Sequence, residues 1–311
     1  MDFKYMINSG KVEKCNNGEF RFKGAKIDFP DPFTKEIKPF PLISSILFPF
    51  ELKGGSISFD VEFDDVCDLT NCGFVFNYSL VDGVAKYHQA GIRNDGAFCS
   101  LEYFNGKGWD FLTTNGAAKV LEKHKKYALT LKRNGNDLSF FVDNVPVFAY
   151  SKLINSTGIC GIFILNEHDS IVSNIQIKTE KPTAFSIMKF EKDFDDLYDN
   201  VIVHVCEGFG YKSIRADKCY ASSPIIQDIV REIAKASLVI ADITMDNPNV
   251  FYELGYAHAL SKPTILLADA NKRDKLPFDV SGYRTIFYEN TIGGKKEIEN
   301  LLRKYVENVQ G

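Results

Sequence analysis

The segment from Ser237 to Ala259 constrains this chain more than any other. Ser237-Leu-Val-Ile-Ala-Asp242 is a short apolar run that predicts a buried strand, and Val250, Leu254 and Ala257 recur just beyond it at helical spacing. Asn247-Pro248, between the two, reads as an N-cap followed by proline at the first helical position, where its missing N–H costs nothing. A buried strand running directly into a helix is the unit of a parallel α/β sheet, whose ligands sit at the carboxyl ends of the strands. Two acids flank this turn: Asp242 at the strand tip and Glu253 eleven positions later, inside the helix. Glu253 lies at the edge of the apolar stripe, where desolvation costs free energy unless something uses the group. The positive end of the helix dipole favours its ionised form. An ionised, partly buried carboxylate beside a crevice suits a covalent glycosyl-transfer nucleophile; the same acid also serves as an ordinary capping group. His258, five residues on, falls about 140° around the helix from Glu253 and reads as packing or surface.

A chain of 311 residues sets an expectation of two domains. Hydrophobic residues make up 45% and charged residues 25%, the composition of an ordinary globular protein. A net charge of −4 disfavours a nucleic-acid partner held by bulk electrostatics. No apolar run approaches the roughly 20 residues needed to span a bilayer. The opening residues Met1 to Gly10 lack the apolar core of a signal peptide. Seven scattered cysteines (15, 67, 72, 99, 160, 206, 219) contain no C-x-x-C pair, which fits reduced thiols in a cytoplasmic protein and neither a zinc site nor a disulfide framework. No metal or bound cofactor is expected.

The two halves follow different periodicities. Up to about residue 180 the pattern is that of strands: Ile57, Phe59, Val61 and Phe63 alternate with polar residues, and similar runs follow at 73–78, 98–104, 127–133, 138–142, 145–150, 158–165 and 171–178. Asn105-Gly106, Asn115-Gly116, Asn134-Gly135 and Asp143-Asn144 supply turns between them. Many short antiparallel strands over this length predict a two-sheet sandwich or jelly roll. Trp109 with Tyr103 and Phe104 would form either a sugar-stacking surface or ordinary sheet packing, and no carboxylate pair here argues for glycoside hydrolysis.

Thr179-Glu-Lys-Pro-Thr183 marks the boundary, giving domains at 1–180 and 184–311. Beyond it strands alternate with helices: strands at 185–190, 213–216, 237–242, 263–268 and 284–288, helices at 194–206, 224–236, 250–260 and 295–309. That order predicts a flavodoxin-like doubly wound parallel sheet, 2-1-3-4-5. No G-x-G-x-x-G or Walker A sequence is present, so phosphate binding by a glycine loop is not expected.

In the first half, Tyr127 to Phe148, Gly158 to Phe163 and Val172 to Ile177 resemble the strand rhythm of the concanavalin A-like lectin/glucanase superfamily, laminin-G-like domains in particular. The resemblance implies a module that binds a glycan or protein ligand, or that mediates assembly. In the second half, Arg215-Ala-Asp217, Leu238 to Thr244, Asn247-Pro-Asn-Val-Phe-Tyr-Glu-Leu-Gly-Tyr-Ala-His258, Lys262-Pro263, Pro277-Phe-Asp279 and Arg284 form an ordered series. It resembles the nucleoside 2-deoxyribosyltransferase-like superfamily and, more distantly, Toll/interleukin-1 receptor (TIR) domains. The enzymes of that group cleave the N-glycosidic bond of nucleosides, nucleotides or NAD.

The resemblance implies that Glu253 is the nucleophile or ribose-stabilising carboxylate and Asp242 the acid that contacts base or ribose. Arg215, Asp217, Thr244, Asn247, Asn249, Phe278 and Asp279 are the expected substrate-binding residues. Arg215 reads either as a phosphate clamp or as the partner of Asp217 or Asp242. NAD is then a substrate and not a cofactor. Two readings stay open: a homo-oligomeric, regulated antiviral-type effector, and a non-catalytic nucleotide sensor.

Overall fold

The computed structural model describes residues 4–15, 18–30, 36–134, 137–151, 158–218 and 225–310. Cys219, Gly135 and Pro224, on which some expectations above rest, lie outside them. The chain divides into two compact units, one up to residue 179 and one from residue 180 onward, with the stretch 134–136 counted in the second.

In the first unit, two antiparallel sheets are found among the described residues. One runs in the spatial order Met6–Ser9, Ile37–Glu51, Ile159–Asn166, Asn71–Val81, Val84–Arg93, Cys99–Phe104 and Trp109–Asn115, with Lys26–Pro30 also paired to Ile37–Glu51. The other runs Val145–Tyr150, Asp137–Val142, Lys126–Asn134, Gly54–Phe63, Ser170–Thr179, Phe20–Phe22 and Val12–Lys14. The alternation read in the sequence holds: Ile57, Phe59, Val61 and Phe63 are buried and the residues between them are not. They meet the inward residues of the facing sheet, as where Phe59 packs edge-on against Phe74 at 4.9 Å. Asp143 and Asn144 take positive φ (51° and 63°), the geometry that a two-residue hairpin requires. The strands at 37–51, 84–93 and 109–115, and the short ones at 6–9, 12–14, 20–22 and 26–30, were not foreseen. In the first of them Pro39 and Pro41 break the strand signal, and it is buried over a continuous run, not alternately.

The second unit carries five parallel strands among the described residues: β1 (Thr183–Ile187), β2 (Lys212–Arg215), β3 (Leu238–Asp242), β4 (Thr264–Asp269) and β5 (Thr285–Tyr288). Their order is 2-1-3-4-5, as the strand–helix alternation predicts. Leu238 and Ile240 of β3 turn to one face, into a core with Val201, Val205, Leu302 and Val306; Val239 and Ala241 turn to the other, with Val250, Leu254 and Ala257. A strand buried on both faces has to be apolar throughout, which explains the unbroken run in the sequence. The helices of this unit are α1 (Lys192–Leu197), α2 (Val203–Gly208), α3 (Ile225–Lys235), α4 (Pro248–Ala259) and α5 (Ile292–Gln310); the first face is covered by the helical stretch Lys192–Gly208, which opens into a π turn at Tyr198–Ile202, and by α5. Residues of α5 and of the 192–208 stretch pack into the first core, and those of α3 and α4 into the second.

No helix among the described residues is long and apolar enough to cross a membrane. The six described cysteines are free thiols.

Candidate functional site

The turn after β3 is built from its own backbone demands. Asn247 is the N-cap of α4: its side chain accepts from the Asn249 N–H at 2.9 Å, and Pro248 takes the first helical position. This fixes where the helix begins and puts Glu253 in its second turn. Val250, Leu254 and Ala257 are buried against the sheet, and Glu253 stands half-buried beside them.

Among the described residues no side chain pairs with Glu253 or donates a hydrogen bond to it. Burial alone therefore decides its proton affinity and pushes the carboxyl up to about 7. The helix dipole was expected to keep it ionised. The dipole acts most strongly within the first turn, and at the second turn desolvation outweighs it.

Asp242 has a different setting. It is 3% exposed, and its carboxylate accepts from the Thr244 N–H at 2.9 Å and from the Tyr288 hydroxyl at 2.8 Å. Burial raises its carboxyl above the usual range in spite of those donors. Thr244, also buried, accepts from the Asp269 N–H at 2.8 Å through its hydroxyl, tying the tips of β3 and β4 together. Arg273 donates to the Thr244 carbonyl at 3.1 Å and pairs with Asp246, so it straps the β3–α4 loop from outside. Asp242 and Thr244 thus hold the turn in place and do not face solvent.

Arg215, at the end of β2, is buried and forked onto Asp217 (2.7 and 2.6 Å) and Asp195 (2.8 Å). Its guanidinium lies over the Tyr198 ring at 4.7 Å. Of the two readings of this residue, the partner of Asp217 is the one the structure displays. Asn249 and Asp279 are exposed, and Phe278, in the short turn Phe278–Val280, is 92% exposed. His258 stacks on Tyr283 with ring centroids 4.3 Å apart. A cavity of about 360 Å³ opens nearby, between the start of α5, Tyr288 and the 192–208 stretch, and none of the expected site residues lines it. Sequence reading missed Tyr288, Asp269 and Asp195. Asp269 had a usable signal, since it ends an apolar strand just as Asp242 does.

The first unit has its own concavity, on the face of the 37–51 sheet that points away from the sandwich core. It encloses about 460 Å³, within the roughly 300–1,000 Å³ usual for small-molecule sites. One cross-strand row runs Leu47, Gly161, Val75, Gln89, Glu102, Phe111. Gly73 and Gly91, opposite each other, put no side chain in the middle of the next row, between Phe163 and Ser100, and a Cβ at Gly73 would come within 2.1 Å of the Ala90 carbonyl oxygen. Glu102 is 3% exposed and accepts from Gln89 at 2.9 Å and Ser100 at 2.6 Å, and it pairs with Arg93. Trp109 packs on Phe104 at 5.0 Å and edge-on to Tyr87 at 5.5 Å. The expected trio of Trp109, Tyr103 and Phe104 is corrected on one member. Successive side chains leave a strand on opposite faces, so Tyr103 turns away to stack on His88 at 4.6 Å, and Tyr87 takes its place.

No family model and no curated protein matches the chain. Similar solved structures include a carbohydrate-binding module, CBM66, from Bacillus subtilis, with 13% identity and a TM-score of 0.43, covering 55% of this chain and 92% of that one. A β-glucanase from Bacillus licheniformis has 9% identity and a TM-score of 0.38, covering 57% and 92%. The catalytic domain of an endo-1,3-β-glucanase (laminarinase) from Thermotoga petrophila has 9% identity and a TM-score of 0.38, covering 55% and 89%.

Proposed function

We propose that the parallel-sheet unit is a flavodoxin-like domain of the nucleoside 2-deoxyribosyltransferase-like or TIR-like kind that breaks the N-glycosidic bond of NAD or a related nucleotide. Glu253 carries the reading: it is a half-buried carboxyl at the carboxyl end of a parallel sheet with no donor among the described residues to occupy it. Cleaving the C1′–N bond leaves the bonding pair on the departing base and positive charge on the sugar. The ionised Glu253 stabilises or captures that oxocarbenium-like centre, and water supplies the hydroxyl of the product. The sandwich, read as concanavalin A-like, is the sensing or assembly module of a cytoplasmic effector.

A second reading, a nucleotide sensor that does not turn over, is favoured by the engagement of Asp242 and Arg215 in protein contacts. Incubating the full chain with NAD and a nucleoside panel, and following free base by chromatography, separates the two. Base released by the native chain and not by Glu253→Gln supports the enzyme. Ligand bound without release, by both chains, supports the sensor.

A further inference from the structure

We infer that the cavity between the start of α5, Tyr288 and the 192–208 stretch is a binding site for a free α-amino acid with an apolar side chain. The inference stands apart from the reading of Glu253. The cavity encloses about 360 Å³, within the roughly 300–1,000 Å³ usual for small-molecule sites. Two features of the chain shape it. On one side the helical stretch widens into its π turn at Tyr198–Ile202, which brings Asn200 and Val201 to the cavity; such turns are rare and recur at functional sites. On the other side the chain folds back tightly before α5. A Cβ at Gly294 would come within 2.1 Å of the Glu289 carbonyl oxygen, and this turn holds Glu289 and Thr291 along the rim.

The lining sorts by chemistry. Leu197, Val201 and Ile298 are buried and supply an apolar floor. Asp196, Glu289 and Lys295 are exposed charged residues of the wall, and none of them forms an ion pair among the described residues. Asp196 accepts from the Asn200 amide at 3.4 Å. Charges of both signs thus line one cavity without neutralising one another, and a ligand that bears both signs can meet both. The two acids call for an ammonium, with its three donors; Lys295 calls for an anionic acceptor. A phosphate or a dicarboxylate is disfavoured because the acids outnumber the one lysine, and a simple amine leaves Lys295 unused. An α-amino acid supplies the ammonium and the carboxylate together, and its side chain takes the apolar floor. Tyr288 forms part of the wall and donates its hydroxyl to Asp242 at 2.8 Å, so a ligand in the cavity rests on the side chain that holds the tip of β3.

The test titrates the full chain with leucine, valine and phenylalanine as free amino acids, by isothermal titration calorimetry together with saturation-transfer NMR of the ligand. Isoamylamine and 4-methylpentanoate serve as controls, since each keeps the leucine side chain and one of its two charges. We expect saturable binding of at least one amino acid, and binding of each control weaker by about tenfold or more, because each lacks one charge-assisted contact. Glu289→Gln and Lys295→Met should each weaken amino-acid binding severalfold. Both residues are exposed, so neither substitution threatens the fold. No saturable binding of any of the three amino acids at millimolar concentration, a control that binds as tightly as leucine, or affinity unchanged in either variant would overturn the inference. Base release is not part of the readout, so this reading and that of Glu253 fail independently.

Discussion

Glu102 in the sandwich and Glu253 in the parallel-sheet unit are both carboxyl groups drawn out of water, and their surroundings treat them in opposite ways. Glu102 accepts from Gln89 and Ser100 and pairs with Arg93. Glu253 has no donor among the described residues, and its carboxyl rises to about 7. The difference lies in whether donors meet the carboxyl. A compensated carboxylate fixes its neighbours, as Glu102 orients the cavity wall. An uncompensated one is left to exchange protons near neutral pH, which is a property of working groups. Asp242 lies between these cases, with donors from Thr244 and Tyr288 but deep enough that burial still raises it.

The largest expected effect tests the uncompensated group. Glu253→Gln should reduce base release by about 10³-fold or more, and release by the native chain should climb as pH rises through about 7, where the carboxyl ionises. A flat pH profile between about 5 and 9 would remove Glu253 from the reaction.

Breaking the compensated group should instead cost stability. Glu102→Ala removes the buried partner of Arg93, whose side chain is 12% exposed and is left with the weaker contacts to Asp95 at 3.4 Å and Ser100 at 3.5 Å, and should destabilise the sandwich unit by about 3 kcal/mol in urea denaturation. A loss within experimental error would mean that water, not Glu102, satisfies the arginine.

Tyr288→Phe removes one donor to Asp242 and should cost about 1–2 kcal/mol, read in the unfolding of the parallel-sheet unit. If the unfolding midpoint does not move, Tyr288 is not what holds the β3 tip.

The smallest effect concerns linkage. The folded chain holds the Glu253 proton more tightly than the unfolded chain does, so this contribution is fully present below the ordinary carboxylate range and is lost as pH rises through about 7. Glu253→Gln escapes that loss. It should therefore be about 1 kcal/mol more stable than the native chain at pH about 8, after discounting for the part that water reaches, and show no such gain at pH about 4. Equal gains at both pH values would show that the variant acts through packing.

Much of the second unit was legible because its signals are local. The run Leu238 to Asp242 has to be apolar to be buried on both faces, and Asn247-Pro248 fixes the start of α4 within its own turn. The candidate glutamate could be found from spacing for the same reason. What was not legible depends on residues distant in the chain. Tyr288 reaches Asp242 across 46 positions, and Arg273 reaches Asp246 across 27. In the sandwich, alternation located about half of the strands but not the long one at 37–51, where three prolines and a continuous buried run hide the period.

By itself, then, the sequence determined the change from a two-residue period to alternating strands and helices, the 2-1-3-4-5 sheet and the half-buried position of Glu253. Only the tertiary structure decided which polar groups are satisfied. It closed Arg215 onto Asp217 and Asp195, enclosed Asp242, and exchanged Tyr87 for Tyr103 beside Trp109. The physical reason is range. Propensity, capping and burial periodicity act within a few residues of the chain, whereas hydrogen-bond satisfaction is set by strand register and sheet order, which join residues that no local pattern connects.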